Sequence, residues 1–113
     1  MGNSNSNSNS NIDSKMSEQI ISLSKSSDIV VFQDPGCPYC VEAVKVLKGA
    51  GQSPKVIDVA YEDRNNLRSI TKSGTVPQVF IKGKYVGGCN DGPESWMGIK
   101  KIINSGKLGD YLN

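Results

Sequence analysis

The chain has 113 residues, which suffices for one domain of ordinary size. Thirteen lysine and arginine residues against eleven aspartate and glutamate residues leave a net charge of +2, too small a bias to favour nucleic acid or an anionic membrane. Histidine is absent, which excludes Ser–His hydrolysis, histidine acid catalysis and Cys2His2 zinc sites. The three cysteines cannot all pair within the chain, which counts against a disulfide-stapled secreted scaffold.

The N-terminus is polar and of low complexity. Asparagine and serine alternate from Asn3 to Asn11, and no apolar residue lies between Met1 and Ile12. Such a segment has no apolar surface to bury, so we predict a disordered tail at 1–12 and a folded domain at 13–113. Gly2 fits the N-myristoylation pattern, although an alternating serine meets that pattern by chance.

The sequence predicts neither a signal peptide nor a membrane span. The N-terminus has no basic start and apolar run of a signal peptide, and no stretch approaches the ~20 apolar residues of a membrane span. With unpaired thiols, the chain is expected in a reducing compartment, the cytoplasm, with no membrane and no nucleic acid as partners.

The remaining sequence alternates between helical and strand patterns. Helices are predicted at about 16–23, 41–48, 62–72 and 91–103, and strands at 29–32, 55–59, 76–81 and 85–86. Strands separated by helices imply a parallel β-α-β start, and the tight turn at Gly83 implies an antiparallel finish. The predicted fold is α/β, with a mixed four-stranded sheet flanked by helices on both faces.

Apolar spacing also predicts which side of each helix is buried. The expected stripes are Met16, Ile20 and Leu23 in the first helix, Val41, Val44 and Leu47 in the second, and Trp96, Ile99 and Ile103 in the last. Asp91 and Glu94 have the spacing of a capping box, which predicts that the last helix is long and begins near Asp91. Glycines are expected to end the second helix at Gly49 and Gly51 and the third at Gly74.

Two cysteines with two residues between them follow the first strand. If Pro38 occupies the first helical turn, where its missing N–H costs nothing, Cys37 lies at the helix N-terminus. Unpaired backbone N–H groups and the positive end of the helix dipole favour a thiolate there. Cys40 lies one turn inside and is close enough to attack a disulfide formed at Cys37. We therefore predict Cys37 as the nucleophile and Cys40 as the resolving thiol.

The two cysteines allow two other interpretations. Zinc prefers four ligands, and with Cys89 the chain offers three cysteines and no histidine, so no metal site is predicted. A buried structural pair of thiols is the second alternative. The neighbouring Pro35, Gly36 and Pro38 instead place the cysteines at an exposed junction between loop and helix.

Three motifs together resemble glutaredoxins of the dithiol class. They are Cys-Pro-Tyr-Cys at 37–40, Thr-Val-Pro-Gln-Val-Phe-Ile at 75–81 and Gly-Gly-Cys-Asn-Asp at 87–91, and the similarity spans about residues 16–112. The resemblance implies the thioredoxin fold and glutathione as the reducing co-substrate. It also implies that Pro77 is the cis proline of this fold and that the backbone of Val76 pairs with the cysteine part of glutathione.

The resemblance implies the other glutathione contacts as well. Asn90 and Asp91 match the positions that hold the γ-glutamyl end, where N–H groups at a helix start suit a carboxylate and the Asp91 carboxylate suits the ammonium. Tyr39 matches an aromatic residue that flanks the tripeptide, and Thr75 belongs to the second motif. Arg64 matches a position that often holds the glycine carboxylate, with a solvated helix residue as the equal alternative.

One position departs from the pattern of the family. Glutaredoxins usually carry a basic residue three positions before the nucleophile, and this chain has Asp34 there. Its charge has the wrong sign for holding a carboxylate or for stabilising a thiolate.

The resemblance and the cysteines together predict an enzyme, a glutathione-dependent thiol–disulfide oxidoreductase acting as a monomer. Its substrates would be protein–glutathione mixed disulfides and protein disulfides. The alternative is a carrier of a [2Fe-2S] cluster, held in a dimer by the Cys37 thiolates and two glutathiones. The Pro-Tyr pair after the first cysteine resembles the redox members more. A thioredoxin-type reductase partner is a third possibility, against which the glutathione motifs argue.

Overall fold

The computed structural model describes residues 14–113, so the predicted tail at 1–12 lies outside the described residues. The helices are α1 (Ser14–Ser24), α2 (Pro38–Gly49), α3 (Arg64–Thr71), α4 (Ile99–Asn104) and α5 (Leu108–Leu112), with a 3-10 turn at Tyr61–Asp63 before α3. The strands are β1 (Ile29–Gln33), β2 (Lys55–Asp58), β3 (Gln78–Ile81) and β4 (Lys84–Gly87). No helix within 14–113 has the length and apolar character needed to cross a bilayer.

The four strands form one mixed sheet in the order β2-β1-β3-β4. β1 and β2 are parallel, and α2 makes the crossover between them, as a parallel connection requires. β3 pairs antiparallel with both β1 and β4, and the tight turn at Gly83, with φ of 81°, joins β3 to β4. This is the mixed four-stranded α/β sheet predicted from the sequence.

The helices cover both faces of the sheet, because successive side chains of β1 point to opposite sides. Ile29 and Val31 pack in a core with residues of α2, α4 and α5, while Val30 and Phe32 pack with residues of α1 and α3. Phe32 also meets Phe80 of β3 edge to face, with ring centroids 5.5 Å apart. The prediction of helices on both faces is confirmed.

The buried sides of α1 and α2 differ from the predicted stripes. Leu23 is exposed and Ser24 is buried instead, with its hydroxyl donating to the Ile21 carbonyl. In α2 the buried side is Cys40, Ala43 and Leu47, whereas Val41 is 59% exposed. The helix packs on the sheet through the side that carries these three residues, and Val41 lies away from it.

The ends of α3 also differ from the prediction. A 3-10 turn occupies the expected first turn, and the α-helix proper begins at Arg64. The chain leaves α3 at Lys72, whose φ of 67° is left-handed, and not at Gly74.

The prediction of a long last helix that starts near Asp91 is wrong. α4 begins only at Ile99, after Gly98 with φ of 126°, and residues 90–98 form a loop. The first amides of α4 donate back to the preceding strand end, Ile99 N–H to the Gly88 carbonyl at 2.9 Å and Lys100 N–H to the Cys89 carbonyl at 3.0 Å. These long-range bonds decide where the helix starts and override the local capping-box spacing.

The side chains of this region follow the shorter helix. Glu94 does not cap a helix, because its Oε1 accepts the indole N–H of Trp96 at 3.1 Å. α4 buries Ile99 and Ile102, while Trp96 and Ile103 of the predicted stripe are only half-buried.

Candidate active site

Cys37 lies at the very start of α2, as its spacing from Pro38 predicted. It is the N-cap residue, and Pro38 takes the first position of the helix. Its carbonyl accepts the amides of Cys40 at 3.1 Å and Val41 at 3.2 Å, and its own amide donates to the Asp34 carbonyl at 3.0 Å. As the N-cap residue, Cys37 lies beside the unpaired N–H groups of the first helical turn. Its thiol is free and only half-buried, so solvent can reach it.

The second motif contacts this thiol across the fold. The Cys37 Sγ lies 3.8 Å from the carbonyl oxygen of Val76, 39 residues away in the chain. The peptide bond between Val76 and Pro77 is cis, and β3 begins at the next residue. The structure therefore brings the first two motifs together at the end of the sheet where β1 ends and β3 begins.

Cys40 has a different environment from Cys37. Its side chain is fully buried, and this burial is the main cause that raises the pKa of the Cys40 thiol to about 12. A backbone hydrogen bond with Asp34 lowers the pKa by a smaller amount. A side-chain hydrogen bond and a charge interaction with Cys37 raise that pKa further. Cys40 is consequently a protonated thiol throughout the physiological pH range.

A groove of about 650 Å³ lies next to Cys37. Six of the predicted site residues line it, namely Tyr39, Thr75, Val76, Pro77, Asn90 and Asp91. All three motifs thus contribute to one concave surface, and Cys37 stands beside it through its contact with Val76. Such a groove with a thiol at its rim can hold an extended peptide-like disulfide in reach of a nucleophile.

The third motif lines the groove from a loop, whereas a helix start was expected at this position. Asn90 and Asp91 are exposed on the loop before α4, and no helix begins at either residue. The Asp91 carbonyl accepts the Gly88 amide at 2.7 Å, which folds this part of the loop against the end of β4. A helix dipole at Asn90 and Asp91 is therefore excluded, although both residues line the groove.

Arg64 and Asp34 form an ion pair that was not predicted. The Nη2 of Arg64 lies 3.0 Å from the Oδ2 of Asp34, and the guanidinium lies 5.1 Å from the ring centroid of Tyr61. The other Asp34 oxygen accepts the amide of Gly36 at 2.9 Å. The negative charge of Asp34, which departs from the family pattern, is thus partly neutralised by Arg64. Arg64 lies outside the groove lining, and its buried Nε has no hydrogen-bond partner in the structure.

Several residues of the groove were not predicted from the sequence. Lys72, Ser73, Tyr85 and Pro93 all contribute to its lining. Burial raises the pKa of the Tyr85 hydroxyl, a hydrogen bond with Ser73 lowers it, and the charge of Asp91 raises it. These residues lie outside the three motifs, and only their position in the fold marks them.

Cys89 also belongs to the groove lining. It is buried, and burial raises the pKa of its thiol, against a lowering by Lys100. Between residues 14 and 113, no three cysteine or acidic side chains cluster as metal ligands would. All three cysteines are free thiols, and of these only Cys37 is not buried.

Comparison with known proteins agrees with this arrangement. The glutaredoxin family model matches residues 29–86. Glutaredoxin-1 of Rhizophagus irregularis is 30% identical over 83 residues, covering 69% of this chain and 82% of that protein. The holo form of glutaredoxin C1 from Populus tremula x tremuloides superimposes with a TM-score of 0.76 at 28% identity, covering 88% of this chain and 87% of that one. The buckwheat glutaredoxin–glutathione complex gives a TM-score of 0.75 at 27% identity, with 88% of both chains covered.

Proposed function

Because this chain belongs to the glutaredoxin family of thiol–disulfide oxidoreductases, we propose that it reduces protein–glutathione mixed disulfides with glutathione as co-substrate. The observation that carries the proposal is the position of Cys37. Its thiol lies at a helix N-terminus, 3.8 Å from the Val76 carbonyl and beside a groove large enough for a tripeptide. The relative that contains glutathione, from buckwheat, supports the choice of this tripeptide.

The first step transfers glutathione to the enzyme. The Cys37 thiolate attacks the glutathione sulfur of the mixed disulfide, the S–S bond breaks, and its electron pair leaves on the protein sulfur, which then takes a proton. A new disulfide joins Cys37 to glutathione. The helix N-terminus assists because its unpaired N–H groups stabilise negative charge on the sulfur when Cys37 later leaves.

The second step restores the enzyme. The thiolate of a second glutathione attacks the glutathione sulfur held on Cys37, and Cys37 leaves as a thiolate with formation of glutathione disulfide. Cys40 competes poorly for this bond, because burial keeps it protonated. The contribution of Cys37 to that high pKa disappears once the Cys37 sulfur is in a disulfide, but burial, the largest cause, remains. Cys40 is therefore assigned to the slower reduction of protein disulfides.

The groove residues hold glutathione in the proposed complex. The backbone of Val76, next to Pro77, pairs with the cysteine part of glutathione, as an extended peptide adds to an open backbone edge. The Asp91 carboxylate receives the γ-glutamyl ammonium, and the amides of Asn90 and Asp91 receive its carboxylate. Tyr39 and Thr75 line the groove beside the tripeptide.

Arg64 is proposed to hold the glycine carboxylate. The Arg64 side chain is 22% exposed, so part of it can be reached by a ligand. A guanidinium has five N–H donors, and the bond from Nη2 to Asp34 leaves others for a second carboxylate. Asp34 weakens the attraction for that carboxylate without removing it.

The proposal is tested by turnover on two small mixed disulfides that share one thiol. One carries glutathione and the other carries cysteamine, which has neither the γ-glutamyl nor the glycine end. We expect turnover of the glutathione compound to exceed that of the cysteamine compound by at least about tenfold, as expected when several polar contacts are lost. Equal turnover of both compounds would overturn the assignment of glutathione.

The cysteine variants complete that test. Cys37→Ser should abolish turnover of the glutathione compound, and Cys40→Ser should retain it. A dead Cys40→Ser with an active Cys37→Ser would reverse the two roles.

The proposal includes a monomeric protein located in the cytoplasm. Anaerobic purification tests the [2Fe-2S] alternative, because a cluster would colour the protein brown and the proposed enzyme is colourless.

A further inference from the structure

The loop at 90–98 joins the groove to a distant part of the fold. Its first residues, from Asn90 to Pro93, line the groove, and its later part carries Trp96, the single tryptophan of the chain. Trp96 does not line the groove, and the proposed mechanism makes no use of it. Its contacts instead run toward the C-terminal helix.

Trp96 is held by an aromatic and cationic cluster. Its ring stacks on that of Tyr111 in α5, with centroids 5.9 Å apart and an angle of 14° between the planes. The Lys84 Nζ of β4 lies 5.2 Å from the Trp96 ring centroid and 5.5 Å from that of Tyr111. Such stacked and cation–π contacts are each directional, so together they fix the position of the indole.

The backbone near Trp96 is fixed as well. Lys101 of α4 donates from its Nζ to the Ser95 carbonyl at 3.1 Å. The indole N–H donates to Glu94, as described above. The second half of the loop is therefore fastened to β4, α4 and α5.

The two halves of the loop are in close contact, so movement of one displaces the other. A Cβ on Gly92 would lie 2.7 Å from the Met97 Cβ. Gly98 leaves no room for a Cβ either, because the backbone of Asn90 passes directly beside it. Close backbone approach of this kind transmits displacement, since packed atoms cannot interpenetrate.

We propose that Trp96 is a positioning residue for glutathione binding, which acts by stacking on Tyr111 and thereby holding Asn90 and Asp91 in the groove wall. The inference rests on the proposed function of the groove. Loss of the stack lets the loop move away from the groove, so the glutathione part of the substrate binds more weakly. The chemical step at Cys37, which lies on another element, is unaffected.

The test measures steady-state turnover of the glutathione mixed disulfide by Trp96→Ala and Tyr111→Ala. We expect each variant to raise KM by about threefold to tenfold, the range expected for one stacked aromatic pair, with kcat at saturation unchanged. Trp96→Phe, which keeps an aromatic ring, should restore most of the lost affinity. The alkylation rate of Cys37 should match that of the parent in all three variants.

A control separates positioning from general destabilisation. Ile20→Val removes a methylene from the core on the other face of the sheet and should lower the melting temperature without changing KM. Acrylamide quenching of the single tryptophan provides a direct measure of the stack, and Tyr111→Ala should increase it.

The outcomes distinguish this inference from the proposed function. A parent protein that turns over the glutathione compound, with KM unchanged in Trp96→Ala and Tyr111→Ala, overturns the inference alone. An equal rise of KM in Ile20→Val, or an equal loss of kcat and kcat/KM, also overturns it. A parent that neither turns over the glutathione compound nor binds S-methylglutathione in a calorimeter overturns both.

Discussion

The guanidinium of Arg64 is paired with the carboxylate of Asp34 at 3.0 Å, directly before the turn that carries Cys37. The Asp34 side chain is 43% exposed and that of Arg64 is 22% exposed, so solvent screens the attraction and the pair adds at most about 1 kcal/mol to stability. Its larger effect falls on binding, because Asp34 offsets the positive charge that Arg64 would present to a substrate carboxylate.

Asp34→Asn should therefore strengthen substrate binding through Arg64. We expect KM for the glutathione mixed disulfide to fall by about twofold to threefold at low salt, and the gain to shrink at high salt. Arg64→Ala should raise KM, and Asp34→Asn should have no further effect in that background. A gain of the same size in both backgrounds would contradict the role of the pair.

The different environments of the three cysteines predict selective alkylation. Burial raises the pKa of Cys40 to about 12 and also raises the pKa of Cys89. A thiol with a raised pKa forms less thiolate at a given pH, so neither residue should react when the pH rises from about 7 to about 9. Mass spectrometry should find one iodoacetamide label per native chain and three per denatured chain.

Cys37→Ser supplies the control for this labelling. The native variant should take up almost no label at about pH 8, whereas native Cys40→Ser should still take up one. Rapid labelling of native Cys37→Ser would mean that a second thiol is exposed as thiolate.

Gly98 should be intolerant of substitution, since its φ of 126° disfavours a side chain and the backbone of Asn90 blocks a Cβ. We expect Gly98→Ala to lower the free energy of unfolding by about 1–3 kcal/mol. The matched control is Gly49→Ala at the end of α2, where no atom lies within 4 Å of an added Cβ. This control should be neutral or slightly stabilising. Chemical denaturation of both variants checks the difference, and equal effects would contradict it.

Removal of the N-terminal tail should leave the domain unchanged. The segment at 1–11 has no apolar residue after Met1, so it has nothing to contribute to a core. We expect the melting temperature and turnover of a chain lacking 1–11 to equal those of the full chain within error. A fall of several degrees would show that the tail packs against the domain.

The sequence was sufficient for the order of the strands and of the first three helices, for the mixed sheet and for the place of the two thiols beside α2. These follow from local signals: the β-branched run at 29–32, the glycine turn at Gly83, and Pro38 between the two cysteines. The groove was predicted in part, because three motifs of a family that the comparisons confirm lie close to it. The individual binding roles at the groove remain predictions.

Tertiary contacts determine where α4 starts and pair the charge of Asp34 with that of Arg64. The capping-box spacing of Asp91 and Glu94 is a local signal, and bonds from the first amides of α4 to the end of β4 outweigh it. The pair of Asp34 and Arg64 joins residues 30 positions apart, which no periodicity or motif indicates. The stack of Trp96 on Tyr111 is equally invisible in the sequence, because the loop that permits it exists only once α4 begins at Ile99. Local patterns determine which elements form, while contacts between distant elements determine where these end and which side chains they bring together.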